Sequence, residues 1–389
     1  MLSCPVCSAA TSLPLVTVPD MPLVGCCFAE SRASASEVPR GTIELAVCST
    51  CGHIFNRAFE PDRIDYGPGY ENALDVSPRH RAESTALVDR LITEYGLRRK
   101  SILEIGCGTA AFLLSLCRKG GNRGIGYDPT QQPRTMQAGD GSVAIVAEIF
   151  TATDQQPVDF ICSQHVLEHL AELNSTLHQV HRILNPNGVA YFQVPNGLTI
   201  FRDLDIWDVT YEHVSYFSPA SLQHALLATG FSPLRLESSF GGQYLDAEAL
   251  GDEAIEPVSV LAAAYPEFGS GFPSAFAGIV GSWKERIAGW VERKLRIVLW
   301  GAGTKAVSFL NMLSIGHDDG IEYVVDINPK KAGLFVPGTA QKIVPPQDLR
   351  EYSPDIIVVM NREYAFEIRS MVNQMGLYCD LILASPILM

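Results

Sequence analysis

Ser101-Ile102-Leu103-Glu104-Ile105-Gly106-Cys107-Gly108-Thr109 is the stretch on which the reading of this chain turns. Ile102, Leu103 and Ile105 form a short apolar run of the kind that makes a buried parallel strand. Gly106 and Gly108 follow at once, and Ala110, Ala111, Phe112, Leu113, Leu114 and Leu116 then open an apolar helical segment. A glycine turn between strand and helix lets backbone approach a ligand closely and points unpaired helix N–H groups at it. In dinucleotide enzymes that ligand is a pyrophosphate and the fingerprint is G-x-G-x-x-G. Here the third glycine is missing and an acid, Glu104, stands within the strand end. A carboxylate beside the turn suits a cationic ligand, not a diphosphate. Asp128 ends the next apolar strand, Gly124-Ile125-Gly126-Tyr127, about twenty residues on, where such folds place an acid on ribose hydroxyls.

This E-x-G-x-G arrangement resembles the first motif of class I S-adenosylmethionine (SAM) methyltransferases. The resemblance implies that Glu104 holds the amino-acid end of SAM, that Gly106 and Gly108 lie beneath it, and that Asp128 takes the ribose. Glu148, after the strand Val143-Ala144-Ile145-Val146-Ala147, is placed to accept from the adenine amino group. Gln164 and His165 end a further strand at the carboxyl edge, where doubly wound sheets hold ligands. His169, a few residues on, reads as helix packing with a weak SAM-side contact. Tyr66 and Tyr70 sit on a Gly/Pro loop just ahead of this region. They either close over the cofactor or pack as surface tyrosines.

At 389 residues the chain has room for two or three domains. Hydrophobic residues at 47% with scattered Gly and Pro mark a soluble globular protein. A formal charge of −14 argues against nucleic acid, because phosphate binding needs a basic face. No apolar run has the length of a membrane span, and Met1-Leu2-Ser3-Cys4 is not followed by a secretory h-region, so a cytoplasmic protein is expected. Ten cysteines without an export signal then read as thiols or metal ligands, not as a disulfide frame.

Residues 1–65 carry Cys4-Pro5-Val6-Cys7 and Cys48-Ser49-Thr50-Cys51-Gly52. Each C-x-x-C turn presents two thiolates, so the doubled motif predicts tetrahedral zinc on Cys4, Cys7, Cys48 and Cys51. Such a site is structural, since four thiolates leave no position open for a substrate. The long gap requires an inserted hairpin or loop over Pro19–Pro39, and Cys26, Cys27 and His53 are alternative ligands. Residues 66–245 read as the SAM domain, with a helical lead-in over 66–100 (Arg79 to Tyr95) and then alternating strands and helices, which predicts an α/β doubly wound parallel sheet. Residues 246–295 read as a helical connector and 296–389 as a second Rossmann-like domain. There Gly301-Ala302-Gly303-Thr304-Lys305-Ala306 and Asp326 spell a G-x-G-x-x-A fingerprint for NAD. Lys305 inside that turn equally suits a nucleotide-diphosphate substrate.

Between these lies Trp207-Asp208-Val209-Thr210-Tyr211-Glu212-His213-Val214-Ser215-Tyr216-Phe217-Ser218. A histidine beside a glutamate can be held in one tautomer as a general base near neutral pH. Adjacent residues need not face each other, so a catalytic loop and a structural loop both remain open.

The order of parts, a four-cysteine module, a SAM domain and a C-terminal Rossmann-like domain, resembles the zinc-containing sugar C-methyltransferases, which methylate keto-sugars carried on a nucleoside diphosphate. Its marks are the four cysteines, Glu104 to Gly108, His165-Val166-Leu167-Glu168-His169, Glu212 to Ser218, and the stretch from Gly301 through Asn311 and Asp326 to Pro337-Gly338-Thr339. The resemblance implies His213 as base, Glu212 as its orienter or a substrate ligand, Tyr211 or Tyr216 as donor to an enolate, and Asn196, Tyr216 and Lys305 on the substrate side. Two departures bear on the substrate more than on the SAM chemistry. The family's Tyr-His-Glu-His is Thr210-Tyr211-Glu212-His213 here, and its His-Gly-Gly-Ser-x-Arg is Phe240-Gly241-Gly242-Gln243-Tyr244-Leu245. Tyr211 or Tyr244 is the candidate to stand in for what is lost. The rival readings are an O- or N-methyltransferase of the same architecture and a non-methylating nucleotide-sugar or NAD-binding protein.

Overall fold

A computed structural model describes residues 2–67, 69–153, 155–251 and 271–385. Of the connector expected over 246–295, residues 252–270 lie outside the described residues, as does Pro68 of the tyrosine loop.

The N-terminal module is built on an antiparallel sheet of β1 (Ser12–Pro22), β2 (Arg40–Cys48) and β3 (Ile54–Asn56). β1 and β2 stay paired from Ser12↔Cys48 to Pro22↔Arg40. The insertion expected over Pro19–Pro39 is therefore the end of a strand and a short helix, Arg32–Ser36, started by a capping box between Ser31 and Ser34.

In the central domain, β4 (Ser101–Ile105), β5 (Arg123–Tyr127), β6 (Arg134–Ala138), β7 (Gly141–Val146), β8 (Val158–Gln164) and β9 (Leu184–Pro195) follow in sequence. β4 pairs in parallel with both β5 and β8, so the strand order reverses at β4 and opens a crevice at its carboxyl end. After β9, the two-residue β10 (Ser215–Tyr216) leaves this sheet and pairs with β3. β11 (Ser232–Ser239) and β12 (Tyr244–Leu250) return, giving the order β11-β12-β9-β8-β4-β5-β7-β6. The sheet is mixed, not wholly parallel as expected: β6 runs against β7, and β12 against β9 and β11. The β6–β7 hairpin turns at Gly139-Asp140-Gly141, a tight-turn composition that leaves no room for a crossover helix. The lead-in helix, Pro78–Glu94, is capped by Ser77 with Pro78 in its first turn, and it buries Val88, Leu91 and Ile92.

The last sheet is parallel throughout, in the order β15-β14-β13-β16-β17, from β13 (Ile297–Trp300), β14 (Ile321–Val325), β15 (Lys342–Val344), β16 (Ile356–Val359) and β17 (Asp380–Leu383). β13 and β16 are buried along their whole length, as continuous apolar runs require. Helix Phe272–Glu292 sets Phe272, Phe276, Trp283 and Ile287 into a core shared by the N-terminal module and this domain. The segment 205–216 is driven into the same core. Trp207 packs on Phe309 at 4.7 Å and donates from Nε1 to the Ala384 carbonyl, and Ser308 donates from Oγ to Val209 O. A loop of the central domain is thus clamped by the other two.

Candidate active site

The four cysteines of the N-terminal module meet. The Sγ atoms of Cys4, Cys7, Cys48 and Cys51 lie within 4.8 Å of one another, with Cys4–Cys51 at 3.6 Å and Cys7–Cys48 at 3.4 Å. Zinc–sulfur bonds of about 2.3 Å set a tetrahedral edge of about 3.8 Å, so the donor set fits zinc. Hydrogen bonding from the Cys51 thiol holds the Cys4 thiol below its ordinary value, which favours the thiolate form that zinc takes. The alternative ligands lie elsewhere. Cys26 contacts Asn72 and Thr304, and His53, with a pKa held down to about 3 by burial, packs on Phe55 and Phe217.

At the first glycine turn, Glu104 is buried, its Oε2 has no partner, and burial pushes its carboxyl up to about 8. An ammonium group is what this orphaned oxygen lacks, so the residues fit the amino-acid end of SAM. A Cβ on Gly106, whose φ is +69°, would meet Val166 Cγ2 at 2.2 Å, while at Gly108 nothing stands within 4 Å. The turn is therefore closed on one side and open on the other. Asp128 accepts from Gly108 N through Oδ2 and from Thr130 through Oδ1. Glu148 is exposed, and Gln164 donates to Gln193 Oε1 at 3.4 Å.

Beyond this crevice a cavity of about 210 Å³ opens between the central and C-terminal domains. On one wall stand Glu168, His169, Glu212 and His213. Leu167–His169 forms a single 3₁₀ turn, which brings His165, Glu168 and His169 to one side, with Glu168 Oε1 3.8 Å from His165 Nδ1 and 4.0 Å from His169 Nε2. The His169 and His213 rings meet edge to face at 4.9 Å. Glu212 accepts Gly25 N–H at 2.8 Å through Oε1, and its Oε2, otherwise unpartnered, lies 3.8 Å from His169 Nδ1. That Nδ1 also lies 3.1 Å from Glu212 O and 3.0 Å from the Tyr66 hydroxyl. Burial raises Glu168 to about 8 and Glu212 to about 7 and lowers His169 to about 4. It also holds His213 well below its ordinary value, with the neighbouring His169 and His165 adding to the effect. Both imidazoles are neutral at neutral pH.

Several sequence expectations are corrected here. Glu212 faces His169, and among the described residues no hydrogen bond joins it to His213. His169, read as packing, is therefore its partner, and the H-x-x-E-H spacing was the signal. Tyr211 points away into the N-terminal module, where its hydroxyl accepts from Glu60 N and donates to Ala58 O. Tyr216 donates to Thr210 O and accepts from Thr210 N, so it locks the loop instead of facing the cavity. Asn196 caps helix Gly197–Phe201 by accepting from Leu198 N. Lys305 does line the cavity, but its Nζ lies 2.6 Å from Asp205 and 3.1 Å from Asp208. Burial works against its charge, yet the two aspartates outweigh it and hold its pKa above the lysine value. Tyr70 lines the cavity edge-on to Tyr66, and His165 lines it with φ at +56°.

Residues 78–236 match the family described as methyltransferase domain, and residues 272–377 that described as C-methyltransferase C-terminal domain. The C-methyltransferase NovU of Streptomyces niveus is 24% identical over 392 residues, covering 94% of this chain and 90% of that one. The ubiquinone biosynthesis O-methyltransferase of Salmonella arizonae is 26% identical over 129 residues, 31% of this chain, and only 53% of that protein is spanned. Magnesium protoporphyrin IX methyltransferase from Synechocystis PCC 6803, solved with SAH, aligns with 46% of this chain and 88% of its own at 17% identity and a TM-score of 0.36, too slight a likeness to add to the reading. The chain is a SAM-dependent methyltransferase. More narrowly, it has the domain composition of a C-methyltransferase, with the catalytic and C-terminal regions both present.

Proposed function

We infer that the enzyme methylates a carbon alpha to a carbonyl, on a keto-sugar carried by a nucleotide or a similar natural-product intermediate. The observation that carries this is the acid–imidazole cluster of Glu168, His169, Glu212 and His213 on the cavity wall. An oxygen or nitrogen acceptor already has a lone pair and needs mainly alignment. Carbon must first lose a proton, which needs a base within reach. SAM, when bound, supplies an electrophilic methyl group, and Glu104, Gly106, Gly108 and Asp128 would hold it, with Tyr70, Glu148, Gln164 and His165 around it. His213, neutral and facing the cavity, takes the alpha proton. A carboxylate on Glu168 or Glu212, when ionised, favours the imidazolium that results. Glu212, fixed by Gly25, orients His169 beside it. The nucleotide-linked sugar rests on motif resemblance. With Lys305 and Lys331 both engaged by the chain's own acids, it is the ketone-bearing ring and not a diphosphate that the cavity addresses. Incubating the enzyme with TDP-4-keto-6-deoxyglucose and S-adenosylhomocysteine in heavy water should exchange an alpha proton for deuterium. His213→Asn should lower exchange and methylation by about 10²–10⁴-fold at unchanged melting temperature. Methylation at the parent rate in that variant would reduce the cluster to a folded loop.

The same reading assigns a structural zinc ion to Cys4, Cys7, Cys48 and Cys51. Elemental analysis of freshly purified protein should give one zinc per chain, and Cys48→Ser should cost solubility or stability. A preparation with full activity and no zinc defeats the assignment.

A further inference from the structure

Three tyrosines near the cluster have hydroxyls bonded within the chain: Tyr211 to Ala58 and Glu60, Tyr216 to Thr210, and Tyr66 to His169. Tyr70, edge-on to Tyr66, and Tyr244 have no such bond to a described residue, and of the two only Tyr244 is stacked flat on another ring. Tyr244 opens β12 opposite Pro195, lines the cavity, is 6% exposed, and makes no hydrogen bond through its hydroxyl to any described residue. Its position is over-determined. The ring stacks on Phe240 at 5.3 Å with planes 15° apart, and it meets His165 at 4.5 Å on the other side. Phe240 in turn lies under the Arg79 guanidinium at 5.1 Å and against Tyr364 at 5.5 Å. Phe240 is also held at φ +47°, a backbone region that bulky L residues rarely adopt, ahead of Gly241 and Gly242 at +66° and +92°. Strain of this kind persists where surrounding structure enforces it, and it clusters at working sites. A polar group pinned by two rings yet left without a partner is set for a ligand.

A row of contacts joins the Tyr244 ring to the base cluster. Tyr244 touches His165, His165 Nδ1 lies 3.8 Å from Glu168, Glu168 lies 4.0 Å from His169, and the His169 ring lies 4.9 Å from His213. Tyr244 and His213 both line the one cavity. Resting on the carbon-methylation reading, we propose that Tyr244 is the acceptor's oxyanion donor, binding the carbonyl oxygen while His213 removes the alpha proton. The balance is simple. The C–H pair becomes the enolate double bond, the proton goes to the imidazole, and the negative charge moves onto the oxygen that accepts the Tyr244 hydrogen bond. The burial that holds the phenol neutral keeps it a donor.

The test uses the full chain, TDP-4-keto-6-deoxyglucose as probe, and Tyr244→Phe, which keeps the stacked ring and removes one oxygen. Loss of one oxyanion donor costs about 10²–10³ in rate. Heavy-water exchange and kcat for methylation should both fall by about 10²-fold, with KM, SAM affinity and melting temperature close to the parent values. If Tyr244→Phe exchanges and methylates like the parent, the proposal is overturned while carbon methylation stands. A rise in KM alone, with kcat unchanged, overturns it as well and leaves Tyr244 as a binding wall. If the parent enzyme itself neither exchanges nor methylates the probe, the reading beneath the proposal falls, and the proposal with it.

Discussion

The two glycine turns of this chain share one device and differ in what surrounds it. In the first, Asp128 Oδ2 accepts from Gly108 N at 2.8 Å; in the second, Asp326 Oδ2 accepts from Ala302 N at 2.8 Å. Each acid after a strand thus ties down the turn of its neighbour. Around the first turn lies an acid, Glu104, whose Oε2 has no partner. Around the second, every nearby cation is already answered: Lys331 donates to Ala302 O at 2.7 Å and lies 3.4 Å from Asp326, and Lys305 sits between Asp205 and Asp208. The first turn is incomplete without a cationic ligand. The second completes itself, and its lysine joins the C-terminal domain to the loop that carries Glu212 and His213.

Breaking that junction should have the larger effect. Lys305→Met removes the cation and leaves two aspartates facing each other in a buried place. Loss of one partner from a buried ion pair costs about 3–5 kcal/mol, mostly as uncompensated charge. The denaturation midpoint should drop accordingly, and adding Asp205→Asn should restore much of it. An unchanged midpoint together with weakened binding of a nucleotide would show that the turn serves a ligand after all, and the contrast between the two turns would vanish.

How far these differences were legible in the sequence depends on how local their causes are. The strand–turn–helix of β4, the lead-in helix and the four-cysteine cluster follow from spacings of a few residues, and the chain shows them directly. The β6–β7 hairpin was also written locally, in Gly139-Asp140-Gly141, but a regular alternation of strands and helices masks it. Partner choice was not legible. Lys305 meets residues a hundred positions earlier, Glu212 is fixed by Gly25, and Tyr211 turns toward Ala58 and Glu60. Which face of the segment 205–216 looks into the cavity is decided by its clamping between β3 and helix Thr304–Leu313, contacts separated by about a hundred residues or more.

A smaller effect sharpens the first half of the contrast. An ordinary glutamate loses its proton near 4.5, and so does Glu104 in the unfolded chain, whereas burial keeps the folded carboxyl protonated up to about 8. Between those values the folded state binds more protons than the unfolded state, so stability falls as pH rises from about 4.5 to about 8, and the penalty is constant above that. Glu168 and Glu212 add slopes of the same sign, so the difference between the parent and Glu104→Gln isolates the contribution of Glu104. Without ligand, the melting temperature of the parent should fall more steeply over this window than that of Glu104→Gln. SAM places an ammonium beside the carboxylate and lowers its folded pKa, so saturating SAM should flatten the parent's slope and leave the variant's unchanged. Charged hydrogen bonds are worth about 1.5–3 kcal/mol, so Glu104→Gln should weaken SAM by roughly ten- to a hundred-fold in calorimetry. Equal affinity in the two proteins, or equal pH slopes without ligand, would mean that the orphaned carboxylate at the first turn is answered by something other than SAM.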